Sequence, residues 1–475
     1  MKFLKSSAKP LSWGESFLCL ALAVALFQLA YAPVKIPAAG LLIFGYAYFL
    51  VRLTDQPTVR RAFYFGLTAG FACAAGQAFF FWGIFGPAAI VLWLVFAFWI
   101  ALFTAISCGC VQRWGRSKAA WLIPFIWTGI EYFRSELYYL KFSWLNVGYA
   151  FPNFPIAPVD IFGMYSIGFS VFVIASILTF RDCIKTFWID LFGIGLVLLI
   201  PLSWFLTFIA AARHERPFPP LKLVGVQMEF PPENGIPKIL DRALAENTNA
   251  PIFVLSEYTL DGPVPDSLKK WCRDYSRYLV VGGKDPVGKD NFYDTAFVVG
   301  TNGEVIFKQA KCVPIQFFKD GLPARTQEVW ESPWGKIGIC ICYDLSYTRV
   351  TDRLVEEGAQ MLIVPTMDVE DWGRHEHELH SRVAPVRAAE YGIPIFRVAS
   401  SGISQAVAWT GNVLAQTSVP GVGEIFSAQF RLPMRGSLPP DRFFAPFCVG
   451  VTGVVLMVLL ILTWKDKRIK SKVDS

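Results

Sequence analysis

A chain of 475 residues that is 54% hydrophobic and 16% aromatic but only 17% charged, with a mean hydropathy of +0.43, reads as an integral membrane protein carrying one sizeable polar domain. Its net charge of +7 does not mark a nucleic-acid binder, because the basic residues follow the loops between apolar segments rather than one domain face. Ten cysteines without a CxxC pair exclude a zinc ribbon and a thioredoxin motif.

Apolar runs long enough to cross a bilayer, about 17 to 25 residues each, fall at 15–31, 35–53, 62–84, 86–112, 119–135, 160–180, 187–212 and 443–464. Pro33 separates the first two, and Gly86-Pro87 separates the third from the fourth. The first lacks a small-residue cleavage site and is followed by further spans, so it reads as an uncleaved span rather than a signal peptide. With the N-terminus in the cytoplasm, the inward loops and tail hold sixteen basic residues, while the short outward loops hold only Lys35, Arg134 and Lys141. Such asymmetry is what the positive-inside rule expects, and it puts the polar block outside the cytoplasm. The expected plan is a membrane domain over 1–212, a polar domain over 213–442, a last span over 443–464 and a basic cytoplasmic tail over 465–475. Within the membrane domain, Glu131 and Arg134 stand three apart, so on a helix they share a face and can pair.

Short β-rich runs in the polar block lie at Leu221 to Gln227, Pro251 to Leu255, Tyr278 to Gly282, Thr295 to Val299, Lys336 to Cys342 and Met361 to Val364. Helical stretches fall at about 235–247, 265–277, 347–357 and 375–391, giving a layered α/β domain with helices covering sheets. The Pro-rich pieces at 217–220 and 433–440 read as its two tethers.

Three residues in this block form a candidate acyl-transfer set. Cys342 follows an apolar run and precedes a turn into a helix, whose N-terminal partial charge favours a thiolate. Glu257 ends the run Ile252-Phe-Val-Leu-Ser-Glu257, which delivers a proton acceptor to a sheet edge. Lys311 lies eight residues past the Asn302-Gly303 turn and offers a cation to an oxyanion. Taken singly, each is also what a core thiol, a solvated carboxylate or a solvated lysine looks like. The run His375-Glu-His-Glu-Leu-His380 raises a metal site as another reading.

Leu255-Ser-Glu257, Lys311 and Gly338-Ile-Cys-Ile-Cys342-Tyr-Asp344 resemble the Glu-Lys-Cys signature of the nitrilase superfamily, as do Gly358 to Pro365 and the series His380, Arg387, Glu390, Arg397. The membrane half is similar to the apolipoprotein N-acyltransferase family, through Trp127, Glu131, Arg134 and Ser143-Trp-Leu-Asn-Val-Gly-Tyr149. The resemblance implies a multi-span α-helical membrane domain of about eight helices and an α-β-β-α sandwich. It also implies a ping-pong reaction in the bacterial inner membrane, without metal, ATP or other cofactor. Glu257 would take the proton of Cys342, which attacks a phospholipid ester, and Lys311 would meet the oxyanion together with the backbone amide after the nucleophile. The α-amine of a diacylated apolipoprotein would then resolve the thioester, the enzyme acting as a monomer. The alternative is a membrane-anchored carbon–nitrogen hydrolase in which water deacylates Cys342.

Lys308 is the rival of Lys311; the superfamily offset from Gly303 favours Lys311, and period-two alternation turns Lys308 to the opposite face. The chain departs from the family in three places. Ile315-Gln-Phe-Phe-Lys319 replaces a segment ending in glutamate, which leaves Asp320 as the nearest carboxylate; Tyr343-Asp344 follows the nucleophile in place of Tyr-Glu; and the stretch from Gln227 to Glu257 is short. Phe317, Phe318 and Trp372 are candidates for the pocket border, with Tyr343 and Asp344 supporting the nucleophile.

Overall fold

A computed structural model of the chain describes residues 10–32, 38–152, 159–184, 220–418 and 423–473. The chain divides into two compact units, Met1–Phe205 with Pro440–Ser475, and Leu206–Pro439.

The first unit is helical. Its opening helix, Trp13–Ala30, starts on a reciprocal cap in which Ser12 Oγ accepts the Glu15 amide and Glu15 accepts the Ser12 amide. Among the described residues, four helices are long and apolar enough to cross a membrane: Trp13–Ala30, Phe80–Trp114, Met164–Cys183 and Asp441–Ile469. That is fewer than the eight expected spans. Among the described residues of the run at 35–53, the α-helix spans Leu42–Arg52. The run at 62–84 forms Val59–Gln77, which opens on Arg60-Arg61 and is rich in Gly and Ala. The run at 119–135 forms Arg116–Tyr132, interrupted by Pro124, and the run at 187–212 lies outside the described residues.

Glu131 and Arg134 do not close on each other as their spacing predicts. The helix gives way to a π-helical turn over Phe133–Leu137, which breaks the i,i+3 alignment. Glu131 instead accepts the Val147 amide at 2.8 Å, and Arg134 donates to the Phe142 carbonyl and Asn146 Oδ1, both at 2.6 Å. Both residues therefore brace the segment carrying Ser143 to Tyr149.

The second unit contains two six-stranded sheets. Strands β1 (Leu221–Val226), β2 (Ile252–Leu255), β3 (Tyr278–Val287), β4 (Asn291–Val299), β5 (Val305–Ala310) and β12 (Ile425–Phe430) form one sheet in the order β12-β1-β2-β3-β4-β5. Strands β6 (Val329–Ser332), β7 (Gly335–Ile339), β8 (Met361–Thr366), β9 (Ile395–Ala399), β10 (Gln405–Val407) and β11 (Val413–Gln416) form the other, in the order β11-β10-β9-β8-β7-β6. The strands β1-β2-β3 and β7-β8-β9 are parallel, joined by helical crossovers; the outer strands pair antiparallel.

Period-two alternation assigns each strand's faces. Leu221, Leu223, Val254, Val280 and Val298 pack between the sheets against Ile337, Ile339, Ile363, Phe396 and Val398. Val224, Val226, Phe253, Leu255 and Val281 turn outward onto Ile236, Leu240, Leu268 and Trp271 of the helices Ile236–Glu246 and Asp266–Tyr275. The result is the expected helix-sheet-sheet-helix layering.

Sequence periodicity finds six of these twelve strands. The others carry no continuous apolar run: β5 and β11 alternate with exposed positions, and β9 is interrupted by the buried Arg397. The expected helix over 375–391 is two helices, Arg374–Ser381 and Val383–Tyr391, meeting at Arg382.

Candidate active site

The carboxyl ends of parallel strands are where open α/β sheets collect ligands. Glu257 lies two residues past β2, Met367 one past β8 and Cys342 three past β7. Lys311 reaches the same edge because β3, β4 and β5 alternate direction, so β5 runs parallel to β3, with β4 between them. Neither Glu257 nor Cys342 belongs to the strand that the sequence assigns it to; each sits on the turn beyond. The Glu257 turn needs Gly282 beneath it, since a Cβ there would lie 2.6 Å from Glu257 Cα and 2.7 Å from the Ser256 carbonyl oxygen.

Lys311 is fully buried and stands among three buried carboxylates. Its Nζ lies 2.7 Å from Glu257 Oε1, 2.8 Å from Asp320 Oδ2 and 3.5 Å from Asp294 Oδ2. Burial opposes the ammonium, but Asp320, Glu257, Cys342 and Asp294 together hold its pKa well above the ordinary lysine range. The three carboxylates are spaced as a metal site would be, with their oxygens within 4.8 Å of one another. The ammonium already supplies the cation there. Lys308, by contrast, pairs at the surface with Asp285 at 2.9 Å.

The Met367 backbone links Glu257 to Cys342. Its N–H donates to Glu257 Oε2 at 2.6 Å, and its carbonyl accepts the Cys342 thiol at 3.7 Å. Cys342 opens a short 3-10 turn, Cys342–Ser346, at φ +50°, a strained conformation for a non-glycine residue. The expected thiolate is not what this environment favours. Burial and the Glu257 carboxylate push the thiol well above its usual range, against the opposing pull of Lys311. One 3-10 turn does not outweigh that desolvation, so the resting group is a thiol awaiting a base.

Asp344 locks the turn to the Lys311 loop. Its carboxylate accepts the backbone amides of Cys312, Val313 and Ile341, and burial raises its carboxyl to about 6 despite them. Tyr343 is half-buried and packs edge-to-face on Tyr347, with ring centroids 4.9 Å apart.

Asp320 takes up the position for which the sequence offered no glutamate. It accepts the Tyr258 hydroxyl at 2.8 Å and the Ile315 amide at 2.6 Å while pairing with Lys311. Lys319 is exposed and points no charge at Lys311. Sequence reasoning misses Asp294 altogether. The available signal is alternation: Asp294 shares the inter-sheet face of β4 with Ala296 and Val298. The Met367 peptide has no side-chain signature.

Beside this cluster opens a cavity of about 430 Å³, bordered by Phe230, Tyr258, Leu260, Lys284, Phe318, Lys319, Asp320 and Met367. Phe318 lies 6.1 Å from the Trp372 ring, and Phe317 is 70% exposed at φ +70°. Of the three aromatic residues expected at the border, Phe318 lines the cavity, Trp372 backs it, and Phe317 stands clear of it.

The histidines at 375–380 do not converge. His377 contacts the Val369 carbonyl at 3.0 Å, while His380 meets Asp368 at 2.7 Å. Glu376 completes a buried group with them, but the Arg397 guanidinium already sits 2.6 Å from Asp368. Burial and Asp368 raise the Glu376 carboxyl well above its ordinary range. The Arg397 guanidinium and the raised Glu376 carboxyl therefore already balance the charge of the group.

Comparison with known proteins matches this chain in both halves. Residues 23–177 match the apolipoprotein N-acyltransferase N-terminal domain and residues 204–436 the carbon–nitrogen hydrolase domain. An apolipoprotein N-acyltransferase of Brucella suis is 26% identical, covering 79% of this chain and 76% of that one. Another from Shewanella oneidensis is 22% identical, covering 75% and 79%. An omega-amidase of Xenopus laevis is 27% identical over 26% of this chain. Among solved structures, an amidase of Nesterenkonia from the nitrilase superfamily covers 46% of this chain and 94% of its own, with 19% identity and a TM-score of 0.40.

Proposed function

Because this chain belongs to the apolipoprotein N-acyltransferase family, we propose that it moves a phospholipid acyl chain, by way of a thioester on Cys342, to the N-terminal amine of a diacylglyceryl-cysteine apolipoprotein. The observation that carries this reading is the meeting of a buried thiol, a carboxylate and an ammonium at one sheet edge, with the Met367 peptide between thiol and carboxylate.

The steps follow from the resting protonation. Cys342 begins as a thiol, so attack on the donor's ester carbonyl needs its proton removed as the C–S bond forms, and Glu257 accepts it. The tetrahedral oxyanion is met by the Lys311 ammonium and by the amide following the nucleophile. When the intermediate collapses, the proton on Glu257 passes to the departing alkoxide, releasing lysophospholipid. The acceptor amine then attacks the thioester, gives its proton to Glu257, and the thiolate of Cys342 leaves and is reprotonated. The bond energy of the ester is kept in the thioester, so the second transfer draws on no other activation.

The cavity suits such a donor. Phe230, Leu260, Phe318 and Met367 offer apolar wall to an acyl chain, while Lys319 offers a cation to a phosphodiester; Lys284 beside it is paired with Asp261. Charge asymmetry along the loops supports placing the catalytic domain, 213–442, on the outer face of the bacterial inner membrane, with 1–212 and 443–464 embedded and 465–475 in the cytoplasm.

The test is to incubate the purified full-length protein with labelled phosphatidylethanolamine and a diacylated lipopeptide. Triacylated peptide should form with wild type and not with Cys342→Ala. Lysophospholipid and free fatty acid without triacylated peptide would overturn the transferase reading, and transfer by Cys342→Ala would overturn the mechanism.

A further inference from the structure

The group around Lys311 holds more negative charge than one ammonium balances. Glu257, Asp294 and Asp320 are 1%, 0% and 3% exposed, so water does not make up the difference. Three ionised carboxylates beside one ammonium would leave two uncompensated charges in a dry site, which proteins avoid by binding a proton.

The hydrogen bonds show which carboxylate takes it. Glu257 receives Lys311 at 2.7 Å and the Met367 amide at 2.6 Å. Asp320 receives Lys311, the Tyr258 hydroxyl and the Ile315 amide. Asp294 has neither side-chain oxygen hydrogen-bonded to any donor, and only Lys311 comes near, at 3.5 Å. A carboxylate without donors is the poorest place for a negative charge and the best for a proton. Once protonated, it becomes a donor, and the Glu257 carboxylate, with an oxygen within 4.8 Å, is the acceptor beside it. The Asp294 backbone is already fixed, its carbonyl accepting the Lys311 amide at 2.8 Å, so the side chain is not needed to hold β4 in place.

We propose that Asp294 is a neutral carboxylic acid that donates a hydrogen bond to Glu257, holding that residue ionised and aimed as the base for Cys342. This makes Asp294 a positioning residue. It keeps the proton demanded by the buried charge excess away from the one carboxylate that must remain free to accept the thiol proton. The other groups facing it are consistent. Burial and the nearby Asp320 keep the Tyr258 phenol well above its ordinary range, so Tyr258 stays protonated, and its hydroxyl is committed to Asp320. Burial and Glu257 likewise push Asp294 well above the ordinary carboxyl range.

The inference rests on the reading of Glu257 as base and Cys342 as nucleophile, and its test uses no acyl donor or acceptor, so the two fail separately. The rate at which iodoacetamide alkylates Cys342 is followed against pH by peptide mass spectrometry in the full-length protein. Asp294→Ala removes the donor, and the rising limb should move up by about one pH unit, a tenfold slowing at fixed pH. Asp294→Asn keeps a neutral donor and should return the limb to the wild-type position. Were Asp294 ionised, both variants would remove a negative neighbour and move the limb down together, which would overturn the proposal. Should Asp294→Ala not fold, the infrared difference between wild type and Asp294→Asn decides. A carbonyl band of a protonated carboxylic acid is expected in wild type and lost in the variant, and its absence from wild type would refute the assignment.

Discussion

Replacing Asp320 by Asn tests whether Lys311 depends on the carboxylate that follows Lys319. In the structure Asp320 gathers three donors: Lys311 Nζ at 2.8 Å, the Tyr258 hydroxyl at 2.8 Å and the Ile315 amide at 2.6 Å. An amide can keep an acceptor oxygen for Lys311 and Ile315, which share Oδ2, but it carries no charge, so the ion pair with Lys311, a charge-assisted bond, is lost. Such a bond contributes about 1.5–3 kcal/mol, and if it serves the transition state the loss is roughly 10- to 150-fold in kcat. KM for the phospholipid should change little, because Lys311 acts on an oxyanion that exists only after attack. The assay is initial-rate formation of triacylated lipopeptide, with release of lysophospholipid measured alongside to isolate the first half-reaction. Both half-reactions should slow together, since each passes through an oxyanion at the same place. A variant with kcat within about threefold of wild type would refute the reasoning, as would a defect confined to KM. Glu257 would then be shown sufficient to hold the ammonium.

Three further outcomes follow from the same geometry. Lys311→Met should lower kcat by roughly 10²- to 10³-fold, the range for loss of an oxyanion donor, whereas Lys308→Met, which removes only a surface pair with Asp285, should leave it unchanged; equal defects would sink the assignment. Gly282→Ala should force the Glu257 turn to shift and slow acyl-enzyme formation by roughly 10²-fold, read as a lost burst of lysophospholipid; an unchanged burst would contradict the 2.6 Å approach. Asp344, whose carboxyl is raised to about 6, binds its proton more readily in the native state than unfolded. Its contribution to stability therefore falls as pH rises from about 4 toward 6. Asp344→Asn should lower the melting temperature at every pH and flatten that slope, and a variant retaining the wild-type slope would show that another group carries it.

What the sequence discloses and what it withholds divide along a physical line. Glu257 and Cys342 are legible because each follows a strand that must be apolar to be buried, so a polar residue just beyond marks an edge, whereas Lys311 follows the half-exposed β5 and is legible only by its offset from the Asn302-Gly303 turn. Faces are legible for the same reason: Leu221 and Leu223 against Val224 and Val226 alternate as a two-sided sheet requires. The strands that escape are those in which burial and polarity conflict, such as β9 with the buried Arg397. Helix spacing misleads for Glu131 and Arg134, because a local π-turn cancels the alignment that the i,i+3 rule assumes. In the membrane half, fewer of the described helices are long and apolar enough to cross than the apolar runs imply, since the helices Leu42–Arg52 and Arg116–Tyr132 are short and Val59–Gln77 opens on Arg60-Arg61.

Charge balance is the harder matter, because it belongs to no segment. Asp294 in a strand and Asp320 in a loop are each ordinary polar residues until register and chain direction bring them to one ammonium. Lys319, where the resemblance leads one to expect a glutamate, reads in one dimension as a charge reversal beside Lys311. In three dimensions Lys319 faces outward, and its neighbour Asp320 supplies the carboxylate. What has to be kept, then, is not a residue at a position but the count of carboxylates around Lys311 and the number of donors each receives. By that count Asp320 is the partner with the most donors and Asp294 the one with none, which is why the first is expected to carry charge and the second a proton. A site organised in this way tolerates sequence change in its loops as long as the total charge in the dry volume stays balanced.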